Sequence, residues 1–151
     1  MRTCIFCPNL ANSREHIWAN WLKDYVPRTQ VNHGQARIWI HEDGRQARSV
    51  EHRSGDPRSR ALKIVCAACN NNWMSRIQER AKPILIPLIR GETCTLDADA
   101  QRIISGWAAL LVTIEEYTYS DWVSVPASDR AWLKRSAMAP PNWLIWAGRF
   151  I

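Results

Sequence analysis

The chain of 151 residues carries 20 Lys and Arg against 14 Asp and Glu, a net charge of +6, with five cysteines and nine tryptophans. That length suits one domain with a sizeable core, and the basic balance favours a polyanionic partner such as nucleic acid. No apolar run approaches the roughly 20 residues of a membrane span and "MRTCIFCPNL" lacks the apolar stretch of a secretory signal, so no membrane association and a cytoplasmic location are expected.

The first segment, "MRTCIFCPNLANSREHIWANWLKDYVP", sets Cys4 and Cys7 in a tight turn closed by Pro8. It continues into a short helix around Trp21, Leu22 and Tyr25 that stops before Pro27. Residues 28 to 62 form a polar insertion in which Asp43-Gly44, between two extended runs, is a hairpin signal; strands are expected near 36 to 41 and 46 to 52. "ALKIVC" reads as a strand feeding Cys66 and Cys69. "NNNWMSRIQERAK" reads as a helix with Trp73, Ile77 and Ala81 inward and Arg76, Glu79 and Arg80 outward, ended by Pro83 and Pro87. "LDADAQRIISGWAALLVTIEEY" places Ile103, Ile104, Trp107, Ala108, Leu111 and Val112 at helical spacing behind Asp97 or Asp99 as the cap. "SVPASDRAWLKRSAM" predicts a further helix with Trp132 and Leu133 inward, and "NWLIWAGRF" a closing strand. Together these elements make an α+β chain of one domain, 1–151. A core over residues 1–90 holds the hairpin insertion at about 28–62, and a helical C-terminal part, 91–151, packs on that core.

Cys4-x-x-Cys7 and Cys66-x-x-Cys69 have the spacing at which one turn points two sulfurs at one ion, and four thiolates close a tetrahedral zinc site. Such a site has no open position, so the zinc is structural. The 58 residues between Cys7 and Cys66 make the hairpin an insertion between the two halves of the site. Cys94 is left as an ordinary thiol.

With "SREHIWANWL" between the cysteine pairs and "VCAACNNNWMSRIQERAKPIL" and "DAQRIISGWAALL" after them, residues 1 to 115 resemble the HNH endonuclease family. The match is to its four-cysteine form, as in small bacterial and phage HNH-like proteins. The resemblance implies a zinc-stabilised treble-clef or ββα-metal core and metal-dependent hydrolysis of DNA phosphodiesters to 5′-phosphate and 3′-hydroxyl ends. It makes His16 the general base, with Glu15 and Asn70 the ligands of a catalytic magnesium or manganese. Asn71 is a further cation-binding candidate; Asn71 or Asn72 can also cap the helix, and which does which stays open. Imidazole suits the base role by its ordinary pKa of about 6.5. A hard cation held by a carboxylate, an amide oxygen and waters matches how magnesium is bound. The sequence departs from the family in having Glu rather than Asp before the base and Asn rather than His after the last cysteine. The nearest counterpart of the middle asparagine is Asn32. His33, His41 and His52 are expected in solvent, with His52 the nearest candidate to approach His16. Arg45, Arg48, Arg53, Arg58, Arg60, Arg76 and Arg80 would track phosphates if they cluster in space. The other class of function is a zinc module without turnover that binds DNA or a protein partner.

Overall fold

The computed structural model describes residues 2–27, 32–118 and 124–148. Its strands are β1 (Ser13–His16), β2 (Asn32–Ile40), β3 (Gln46–Ser54) and β4 (Ala61–Val65). Its helices are α1 (Ala67–Cys69), a π-helical turn (Asn70–Met74), α2 (Ser75–Ile89), α3 (Ala98–Glu115) and α4 (Ala127–Ser136). The chain is therefore a mixed α+β protein with two small antiparallel sheets, β1 with β4 and β2 with β3.

Two turns open the fold. Cys4 N–H donates to the Asn9 carbonyl at 2.8 Å and Thr3 bridges Leu10, bending residues 3 to 10 back on themselves. Ile5 N–H then bonds the Ile64 carbonyl at 3.0 Å, laying this turn along β4. Between Ser13 and Glu15 the β1–β4 register slips by one: Ser13 faces Val65, but Glu15 faces Leu62. The extra residue lies on β4, and it breaks the alternation so that Ile64, Val65 and Cys66 are buried in succession. The insertion forms the expected hairpin, paired from Asn32↔Ser54 to Ile40↔Gln46, with Gly44 in the left-handed region at φ 80°. The short helix before Pro27 is a 3-10 turn, Asn20–Asp24.

Three expectations fail for stated reasons. Pro83 and Pro87 do not end α2, which runs through both to Ile89. Pro83 faces solvent, where water serves the carbonyl left without a donor, while Ile77, Ala81 and Leu85 hold the opposite face buried; packing against α3 outweighs the local cost. In α3, capped by Asp97 Oδ1 on the Ala100 N–H at 2.8 Å, the buried stripe is Gly106, Ala109, Leu110, Thr113 and Ile114. Val112 is exposed, and the other large residues named from the pattern are half-buried. Gly106 can belong to that stripe only as glycine, because a Cβ there would lie 2.0 Å from the Ala137 carbonyl oxygen. Finally, residues 143 to 148 form no strand: they pair with neither sheet, and Leu144 and Trp146 stand in solvent.

The core is one contiguous cluster joining Cys4, Phe6, Ile17, Ile64, Met74, Ile77, Leu110, Ile114 and Leu133. At its centre the Phe6 ring meets Trp73 edge-on, with centroids 4.8 Å apart. Helix α4 also grips the first turn directly, since Arg130 Nε donates to the Ile5 carbonyl at 3.0 Å and Lys134 Nζ to the Phe6 carbonyl at 3.4 Å. Gly106→Ala is expected to lower stability by about 1 to 3 kcal/mol, although Ala ordinarily gains about 1 kcal/mol over Gly inside a helix. Urea unfolding checks this, and a gain in stability would mean that the Ala137 backbone yields.

Candidate metal centre and adjoining cavity

The sulfurs of Cys4, Cys7, Cys66 and Cys69 all lie within 4.8 Å of one another. Cys7 Sγ is 3.6 Å from Cys66 Sγ and 3.7 Å from Cys69 Sγ. An ion bonded to sulfur at about 2.3 Å in tetrahedral geometry sets sulfur–sulfur edges of about 3.8 Å, so the donor set and its spacing fit zinc. Cys66 also caps α1: its sulfur accepts the Cys69 N–H at 3.4 Å. Burial pushes the Cys69 thiol up to about 12, so without a cation Cys69 keeps a proton that a metal would expel. Against its own burial, Cys66 is brought down to about 7 by the Cys69 N–H and the neighbouring thiols. The Trp73 indole N–H is buried without an oxygen or nitrogen partner and lies against the Cys69 sulfur, where it favours the thiolate. Cys94 is exposed and free.

The helix that begins in this cluster carries the three asparagines, and none of them caps it. The Ser75 N–H reaches back five residues to the Asn70 carbonyl, so Asn70 to Met74 wind as a π turn, a feature that often marks functional sites. Asn70 Nδ2 donates across to Ser13 Oγ at 2.9 Å and to the Arg14 carbonyl at 3.0 Å, tying the turn to β1 at its irregularity. Asn72 Nδ2 bonds the Ala68 carbonyl at 2.7 Å, and Asn71 is exposed.

Beside the cluster opens a cavity of about 530 Å³ between β1, the 3-10 turn and the first turns of α2. Glu15, His16, Asn70 and Asn71 all line it, so the candidates from two distant segments come together. Glu15 is buried, and burial pushes its carboxyl up to about 7 against the smaller opposing pull of the Asn70 amide. Among the described residues no basic group pairs with it. Burial, then the nearby Lys23 charge, lowers the His16 pKa, which keeps the imidazole neutral and able to accept a proton. Asn20, Lys23, Asp24, Ser75, Gln78 and Glu79 complete the polar lining, and the sequence reading missed all of them as site residues. A signal existed for part of the set: Asn71, Ser75, Gln78 and Glu79 follow the helical spacing of one polar face.

Among the described side chains the other candidates do not line the cavity. Asn32 opens β2 opposite Ser54, and His33 follows opposite Arg53. His41 and His52 are exposed, and His52 does not approach His16 across the cavity. None of the seven arginines is among the described residues lining it. Arg45 pairs with Asp43, Arg80 lies 3.9 Å from Asp99, and Arg58 is clasped by Asp56 and donates to the Val26 carbonyl, a structural tie. Comparison with family models, with curated proteins and with solved structures finds no match for this chain.

Two outcomes follow from this geometry. Elemental analysis should find one zinc per chain, and Cys66→Ser should largely unfold the protein, because such sites contribute about 10 to 16 kcal/mol; well-folded protein free of metal would refute the centre. Without divalent cation, Glu15 should cost stability as pH rises from its ordinary 4.5 through about 7, because only the folded chain holds that proton over the window. Glu15→Gln should therefore match wild type near pH 4 and exceed it by roughly 3 kcal/mol above pH 7, as read from urea midpoints across pH.

Proposed function

We propose that the protein is a metal-dependent DNA endonuclease of the HNH type, built on a zinc-stabilised treble-clef core, with His16 as the general base. The observation that carries this reading is the convergence of Glu15, His16 and Asn70 on one cavity next to the four-sulfur cluster. His16, held neutral by burial, takes the proton of the attacking water. Glu15 and the Asn70 side-chain oxygen would hold magnesium or manganese, with Asn71 as a further amide at the rim; the cation would supply positive charge at the phosphate and leaving oxygens. Two features favour that assignment. Asn70 Nδ2 is spent on acceptors of β1, which leaves its oxygen for a ligand, and Glu15 is a buried carboxylate with no ion-pair partner among the described residues. A phosphodiester also meets three carboxylates here, Glu15, Asp24 and Glu79, against the single Lys23, so a bound cation would be needed to admit it.

A second reading, a zinc module without turnover that binds DNA or a protein partner, draws on Ile38, Ile40 and Val50, which the hairpin exposes. Plasmid nicking with magnesium or manganese separates the two. His16→Ala should lose about 100-fold or more of the rate while keeping its zinc and fold. Equal nicking by both proteins would remove His16 from the mechanism, and nicking by neither would leave the binding module.

A further inference from the structure

We infer that Gln78 is a substrate-contacting residue of the cavity, its side-chain amide aimed by Trp107 to donate to a phosphodiester oxygen beside Lys23. The inference rests on the nuclease reading for the identity of the anion. Its geometric part does not.

The indole nitrogen of tryptophan can only donate, so whichever Gln78 atom it meets must be the oxygen. Trp107 Nε1, on α3, donates to Gln78 Oε1 at 2.8 Å. That bond removes the usual ambiguity of an amide side chain and turns the Nε2 donors the other way. Gln78 lines the cavity, and among the described residues no acceptor takes its Nε2. Trp107 is half-buried against the core on a helix whose start is fixed by the Asp97 cap, so the donor holding Gln78 is itself rigid. Opposite it, on the 3-10 turn, Lys23 Nζ gives one of its protons to Asn20 Oδ1 at 2.6 Å and keeps the others to offer. Lys23 is the one lysine or arginine among the described lining residues. A phosphate entering between Glu15, Asp24 and Glu79 would find few donors, and a pre-aimed neutral amide supplies two without competing for the cation. Trp107 itself does not line the cavity, so α3 acts on it only through Gln78.

An ordinary interhelix tie is the competing account, and three variants distinguish it. Gln78→Met removes the donors without adding charge. Gln78→Glu keeps an acceptor for Trp107, and so keeps the tie, while losing the donors. Trp107→Phe leaves Gln78 intact but frees its amide to turn. Each is compared with wild type for plasmid nicking. In a His16→Ala background with magnesium, where cutting is slowed, each is also compared for affinity toward a short fluorescein-labelled duplex.

Gln78→Met and Gln78→Glu should each raise KM and weaken duplex binding about tenfold, as expected for a lost donor to a charged oxygen. Trp107→Phe should fall between these variants and wild type. Thermal midpoint and zinc content are followed in parallel, and Gln78→Glu should hold both. Wild-type KM and affinity in Gln78→Met or Gln78→Glu would overturn the proposal. A Trp107→Phe protein that loses stability with unchanged KM would overturn the aiming role. Duplex binding without nicking would end the nuclease reading alone, with the Gln78 affinities still deciding this inference. A wild type that neither binds nor nicks would end both.

Discussion

Four cysteine sulfurs packed within 4.8 Å of one another join residues 4 to 7 to residues 66 to 69. Four thiolates at that separation would repel, so protons or a bound cation must offset their charge, and the rest of the site inherits its position from the cluster. The sulfur of Cys66 starts the helix, Cys69 fixes the backbone at which the π turn begins, and Asn70 follows at once. From there the Asn70 amide reaches Ser13 and the Arg14 carbonyl, so the metal-anchored helix and the strand bearing Glu15 and His16 are held in one geometry. Removing the cation would loosen both walls of the cavity, although no cysteine takes part in the proposed chemistry.

The cavity itself carries a deliberate imbalance. Glu15 is buried without a basic partner among the described residues, and burial pushes its carboxyl up to about 7. A protein selected only for stability would pair or expose that group. The slipped β1–β4 register and the π turn, one irregularity on each wall, meet where this carboxylate is held. Irregular backbone of this kind re-aims side chains that regular strands and helices would point elsewhere.

The C-terminal helices act as a brace. Arg130 and Lys134, one helical turn apart on α4, donate to consecutive carbonyls of the first cysteine turn. These bonds fix the backbone between Cys4 and Cys7 against α4. From α3, Trp107 holds Gln78 at the cavity wall. Some of the many tryptophans therefore serve as donors as well as core: Trp107 to Gln78, Trp132 to the Ala139 carbonyl and Trp143 to Asp129.

The cysteine pairs, the hairpin at Asp43-Gly44 and the helices were legible in the sequence, because each rests on local chemistry: spacing around one ion, a positive φ at glycine, apolar periodicity. Tertiary structure decided what depends on partners far along the chain. It carried α2 through Pro83 and Pro87, since burial of Ile77, Ala81 and Leu85 outweighs two missing donors. It set Gly106 of α3 against the Ala137 backbone, which leaves no room for a Cβ, and left 143 to 148 unpaired with either sheet. It also assigned the asparagines, which read locally as helix caps. The cap went to a cysteine sulfur, and Asn70 was free to cross to β1. A side chain's local preference is worth about 1 kcal/mol, and a contact made across the fold can override it.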